Sequence, residues 1–288
     1  MLHLIIKNKS YCIVYWDDMV ESNGNSSIGR LYIVGIGPGY EEHMTFRAKQ
    51  CIEASNIVIG YETYIDLIRH MLDGKEVYAY AMTQEVDRAN HAIDLASKGN
   101  TVSLVSSGDP GIYGMAGLVY EVLAERNWDG KNPYVEVVPG VSALNASAAL
   151  IGSPLMTDFA VVSMSDLLVP WDMIVKRVEA AAQGDFVIVI YNPQSKKRVH
   201  QLRDTRDILL KYRSARTPVA IVKAAYRDSQ SIVLTDLEHM LEYQDHLGML
   251  TTIIVGNSST FTYKGLMINP RGYRSKYELV REQVQQQG

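Results

Sequence analysis

Three short runs hold residues whose types and spacing could bind a small ligand and position it for reaction. Residues 105–114 read V-S-S-G-D-P-G-I-Y-G, after an apolar stretch and before a helical pattern. A Gly-Asp-Pro-Gly turn at the carboxyl end of a parallel-type strand is where open α/β sheets place ligands. Gly108 and Gly111 let backbone approach a ligand closely, and Pro110 stiffens the turn. The second run is Gly35-Ile36-Gly37-Pro38-Gly39. A dinucleotide loop needs a third glycine three positions after the second, and backbone N–H groups facing a pyrophosphate. Here that position is Tyr40, and Pro38 has no N–H to offer. No Gly-Lys-Ser/Thr follows. A ligand with an adenosine but no phosphate suits this loop better, which argues against a nicotinamide-dependent oxidoreductase. The third run, 137–145, reads V-V-P-G-V-S-A-L-N, again a strand entering a turn and then a helix.

Alternating elements must position these turns. Apolar runs predict strands at 31–36, 56–59, 76–79, 101–105 and 134–138. Between them lie helical patterns at 45–54, 65–72, 84–97 and 114–126. Such alternation implies a mostly parallel sheet with helices on its faces. A second series follows Gly140: helix 142–151, strand 159–164, helix 171–182, strand 186–191 and helix 196–212. Strand 218–222, an edge-type strand 231–234, helix 237–243 and strand 251–255 complete it. The expected organisation is an α/β fold of two α/β domains, 30–140 and 141–277, with a cleft between them. Residues 1–29 read as an extension and linker, without the order of a signal peptide, and 278–288 as a polar tail.

Composition excludes several classes. Of the 288 residues, 47% are hydrophobic and 21% charged, ordinary for a globular protein. The formal net charge of −4 argues against a nucleic-acid partner. No segment reaches the ~18 apolar residues of a membrane span. Cys12 and Cys51 stand far apart with no C-x-x-C pair, so no protein-bound metal is expected. Two lone cysteines suit a reducing, cytoplasmic compartment.

The order G-I-G-P-G, S-S-G-D-P-G-I-Y-G, V-P-G-V-S-A resembles the class III S-adenosylmethionine methyltransferases acting on tetrapyrroles. Longer runs narrow the resemblance: V-D-R-A (86–89), S-D-L-L-V-P-W (165–171), Y-N-P-Q-S-K-K-R (191–198), T-I-I-V-G-N-S-S-T (252–260) and N-P-R-G-Y (269–273). They are similar to the precorrin-3B / cobalt-factor III carbon-17 methyltransferases of cobalamin biosynthesis, which also contract the ring. Another tetrapyrrole methyltransferase, acting at carbon 11 or on uroporphyrinogen III, is the alternative. The resemblance spans roughly residues 30–277 and implies the tetrapyrrole methyltransferase fold, with the cofactor between the domains, and a homodimer.

It also implies site residues. Pro38, Ser107, Gly108, Asp109, Ile112, Ser142, Ala143, Tyr191, Ala225 and Thr252 match cofactor-contacting positions. Asp109 and Ser142 could instead cap helices. Methyl transfer from a sulfonium to carbon needs chiefly alignment; ring contraction would benefit from a general acid or base, for which Asp166 and Asp109 are the candidates. A substrate with many carboxylates favours arginine, and Arg88, Lys196, Arg198, Arg227 and Arg271 are its candidate partners. The plain alternative for 196–203 is an exposed basic helix face.

Overall fold

The structure is a computed structural model and describes residues 2–5, 13–16, 28–195 and 198–279. Strands β1 (Leu2–Ile5) and β2 (Ile13–Trp16) form an antiparallel hairpin. The first α/β unit then runs β3 (Arg30–Gly35), α1 (Phe46–Ala54), β4 (Ile57–Tyr61), α2 (Glu62–Leu67), β5 (Glu76–Tyr80), α3 (Glu85–Ser97), β6 (Thr101–Ser106), α4 (Met115–Glu125) and β7 (Tyr134–Val138). All five strands are parallel, in the order β5-β4-β6-β3-β7.

Side-chain alternation along each strand builds two cores. On one face Leu31, Ile33, Ile57, Ile59 and Leu104 pack against α3 and α4. On the other Tyr32, Val34 and Val58 pack against α1 and α2. Leu31, Ile33, Ile59 and Leu104 have no exposed surface, and full burial of such a side chain stabilises by roughly 1.5–3 kcal/mol. This arrangement locates the site. Strands β3 and β6 are neighbours, yet β3 leads to α1 on one face and β6 to α4 on the other. The chain therefore diverges at their carboxyl ends, the switch point where open sheets leave a crevice.

The second unit runs α5 (Ala143–Ile151), β8 (Gly152–Ser153), β9 (Phe159–Ser163), α6 (Trp171–Gln183), β10 (Val187–Tyr191), α7 (Gln201–Leu209), β11 (Pro218–Lys223), β12 (Ser231–Asp236), β13 (Thr251–Val255), β14 (Phe261–Tyr263) and β15 (Leu266–Ile268). Its main sheet has the order β12-β11-β13-β10-β9. Only β9 and β10 are parallel; the remaining pairs are antiparallel. Helices α6 and α7 cover one face, and α5 covers the other together with Met267 of β15.

Two expectations change. The helix expected over 196–212 is α7, confined to Gln201–Leu209; Arg198 precedes it, Arg203 is exposed on it, and Lys196 and Lys197 lie outside the described residues. The segment expected as helix 237–243 is a 3-10 helix, Met240–His246. The short strands β8, β14 and β15 form a small sheet outside the expected set.

Candidate active site

Three loops meet backbone to backbone at the switch point. Gly37 N–H donates to Gly108 O at 3.2 Å, and Gly108 N–H donates back to Gly37 O at 2.8 Å. Both glycines have positive φ, +74° and +65°, which glycine adopts without penalty. A Cβ on Gly140 would stand 2.1 Å from Gly108 O, so the third loop can touch the second only as glycine. Asp109 closes this arrangement. Its Oδ1 accepts the Gly111 N–H at 2.8 Å and its Oδ2 accepts the Gly140 N–H at 3.0 Å. The N-cap of α4 is Gly114; Asp109 braces two loops and does not cap that helix. Ser142 does cap α5, its hydroxyl accepting the Asn145 N–H, and it also faces the cavity.

The second unit supplies the opposite wall. Segment 224–228 (A-A-Y-R-D) docks on the first loop. Tyr40 N–H donates to Tyr226 O at 3.2 Å, and the Tyr40 hydroxyl donates to Asp228 at 3.0 Å. The rings of His43 and Tyr226 stack with centroids 3.9 Å apart. Arg227 joins two loops of the first unit: its Nε donates to Pro38 O at 2.6 Å and its Nη2 to Ser107 Oγ at 2.8 Å. On another side, Tyr191 Oη accepts the Leu144 N–H at 2.9 Å, fixing β10 to the start of α5. Burial raises the Tyr191 phenol above its usual pKa, so it is neutral near pH 7. Tyr113, Asn192, Ala224 and Tyr226 all have positive φ without being glycine. Such conformations cost on the order of 1–3 kcal/mol each and cluster at functional sites.

These elements enclose a cavity of about 150 Å3. All ten residues matched to the cofactor line it: Pro38, Ser107, Gly108, Asp109 and Ile112 from the first unit, Ser142 and Ala143 from the third loop, Tyr191, Ala225 and Thr252 from the second sheet. Tyr64, Tyr113 and Asn192 line it too, and sequence reasoning passed over them. Tyr113 and Asn192 lie inside runs already singled out, and Tyr64 lies just past the end of β4, so strand ends were the available signal.

The candidate substrate residues separate. Arg227 is in the cavity wall, with two of its donors committed to the loops. Arg88 is only 4% exposed. Its Nη2 contacts Met115 Sδ at 3.2 Å, and its Nε and Nη1 have no acceptor among the described residues. Both arginines lie near enough to Tyr64 to oppose the rise in pKa that burial gives its phenol. Arg198 and Arg271 do not line the cavity, and Lys196 lies outside the described residues. Of the catalytic candidates, Asp109 lines the cavity with both oxygens engaged. Asp166 is exposed, accepts the Gln201 amide at 2.9 Å, and stands off the cavity. Among the described residues no group of three or more His, Cys, Asp and Glu is placed to hold a metal, and no helix is long and apolar enough to cross a membrane.

The fold and the cavity define a class. Residues 30–241 match the family model described as Tetrapyrrole (Corrin/Porphyrin) Methylases, and the chain belongs to that family. Within it, the chain stands beside proteins named for cobalt-factor III. It is 52% identical over 252 residues to "Cobalt-factor III methyltransferase" of Priestia megaterium, covering 87% of this chain and 46% of that protein. It is 44% identical over 243 residues to "Probable cobalt-factor III C(17)-methyltransferase" of Salmonella typhimurium, covering 84% and 99%. The chain thus spans about half the length of the first relative and nearly all of the second. The crystal structure of the methyltransferase CobJ superposes with a TM-score of 0.79 at 31% identity, covering 84% of this chain and all of that one.

Proposed function

We propose that the protein transfers a methyl group from S-adenosylmethionine to carbon 17 of cobalt-factor III, with contraction of the ring. The observation that carries this reading is the convergence of all ten cofactor-matched residues on one cavity at the switch point. The residues suit the cofactor. Ile112, Val222, Ala225 and Leu250 give apolar walls for a nucleoside. Pro38 has no N–H to offer a phosphate, and the Asp109 carboxylate suits a cation. When bound, S-adenosylmethionine supplies an electrophilic methyl group on a sulfonium. The chain's own residues hold and align: Asp109 and Arg227 fix the loops, and the apolar walls exclude water.

The carboxylate-bearing acceptor would approach past Tyr64, where Arg227 and Arg88 place positive charge. Arg198, Lys196 and Arg271 are assigned to its outer carboxylates, and Asp166 to acid–base work if its loop turns inward. The two units 30–140 and 141–277 are read as domains closing on the cofactor, in a cytoplasmic homodimer. The test is anaerobic incubation with cobalt-factor III and methyl-labelled S-adenosylmethionine, followed by mass and absorbance spectra of the product. One labelled methyl and the spectrum of a contracted ring are expected. No transfer to cobalt-factor III or to metal-free precorrin-3B, by protein that binds S-adenosylhomocysteine, would overturn it.

A further inference from the structure

A second cavity, of about 200 Å3, lies beside the first. Tyr113 lines both and is the wall between them. The cavity is bounded by edge strand β9 and by the loop from β9 to α6, which holds the run S-D-L-L-V-P-W. Leu167 is 78% exposed and Leu168 91% exposed. Two adjacent leucines so open to water call for an apolar ligand or partner. Arg177, on the first turns of α6, also lines the cavity. It has no salt bridge among the described residues, and its charge reaches the Tyr113 phenol. Tyr113 is held in place firmly: its backbone is left-handed (φ +54°), its hydroxyl donates to Val161 O at 3.2 Å, and its ring lies 5.2 Å from that of Tyr191.

We infer that this groove is an acceptor subsite that seats one carboxylate-bearing ring of the macrocycle, with Leu167 and Leu168 against the ring, Arg177 on its carboxylate, and Tyr113 setting its distance from the methyl donor. The inference rests on the proposed activity and adds where the acceptor is gripped. Charge and contiguity argue for this occupant. One arginine in a mostly apolar groove, with Ser163 and Ser165 as its other small polar groups, suits an apolar ring carrying an acid. Contiguity with the first cavity through Tyr113 favours a reactant over a second protein.

The test uses full-length Leu168→Asp and Arg177→Gln, both at exposed positions where folding is not at stake. Three quantities are read: S-adenosylhomocysteine affinity by calorimetry, affinity for uroporphyrin III (a stable octacarboxylate) by fluorescence, and KM and kcat for cobalt-factor III. Unchanged S-adenosylhomocysteine affinity is expected, with uroporphyrin affinity and KM weakened about tenfold or more in Leu168→Asp and severalfold in Arg177→Gln, and kcat little altered. Wild-type KM and uroporphyrin affinity in both variants would overturn the subsite. So would dissociation of a dimer with KM unchanged, which would make the leucine pair a subunit contact. Wild-type protein that binds uroporphyrin in this groove but methylates no acceptor would instead refute the activity and leave the groove standing.

Discussion

Asp109 holds two loops of the site together. Both of its oxygens accept main-chain N–H groups, one from its own loop and one from the next. Asp109→Asn keeps one acceptor and turns an amide N–H against the other donor. Leaving one buried donor unpaired costs about 1–3 kcal/mol. S-adenosylhomocysteine binding, read by calorimetry, should weaken roughly tenfold while the far-ultraviolet circular dichroism stays unchanged. Cys51 lies at the opposite extreme, on the buried side of α1 against the sheet with 1% exposure. Burial pushes its thiol up to about 11, against a smaller lowering by Arg47. The folded state disfavours the thiolate, so this contribution to stability is complete below the unfolded pKa of about 9 and lost as pH rises through about 11. Iodoacetamide at pH 8 should therefore spare Cys51 in native protein and label it after denaturation, as followed by mass spectrometry. At this scale the sequence was informative wherever a residue's conformational type was the signal: glycines and prolines at strand ends marked the pocket. It offered Arg227 as a partner for substrate carboxylates but not as a tie between loops, since its partners Ser107 and Pro38 lie 120 and 189 positions away. No local pattern encodes so distant a pairing.

Among the elements, glycine loops decide whether the cavity exists. Gly140→Ala would drive its Cβ into the Gly108 carbonyl, main chain against main chain. The expected outcome is loss of S-adenosylhomocysteine binding by more than about tenfold. Gly117→Ala is the control: it lies in α4, where a Cβ meets nothing within 4 Å. That change should stabilise by about 0.5–1 kcal/mol, measured by urea unfolding, and leave binding intact. The parallel strands of the first sheet were legible because each is a short apolar run between helices, and β7 (Tyr134–Val138) and β13 (Thr251–Val255) match the expected bounds. The overlong helix at 196–212 has a physical cause. Its basic residues are good helix formers, but Pro193 offers no N–H, Ser195 and Arg198 bond to each other in a turn, and the helix begins only at Gln201, which is buried. Strands β14 and β15 escaped because their apolar residues are largely exposed and too few for a period.

For the whole molecule, the runs 252–260 and 269–273 prove to be one structural joint, which also takes in Thr157 from 112 positions away. Asn269 of N-P-R-G-Y is 1% exposed and donates to Asn257 Oδ1 at 2.6 Å and to Thr260 Oγ1 at 2.9 Å, while accepting from Thr157. Asn269→Ala should lower Tm by ~3–10 °C, from about 1–3 kcal/mol lost at a few degrees per kcal/mol. S-adenosylhomocysteine affinity should be unaffected, which calorimetry beside thermal unfolding would check. The strand order of the second sheet has a consequence for synthesis. Strand β13 lies at its centre, bonded to β10 on one side and β11 on the other, yet it is the last of the five to be made. A nascent chain can complete its first sheet once residue 138 has left the ribosome. The second sheet must wait, split into two parts, until residue 255 emerges, and Thr252 closes the cavity only then. A ribosome stalled between those points would hold half of a binding site already folded, and a co-translational chaperone would find the exposed inner edges of β10 and β11 as its substrate.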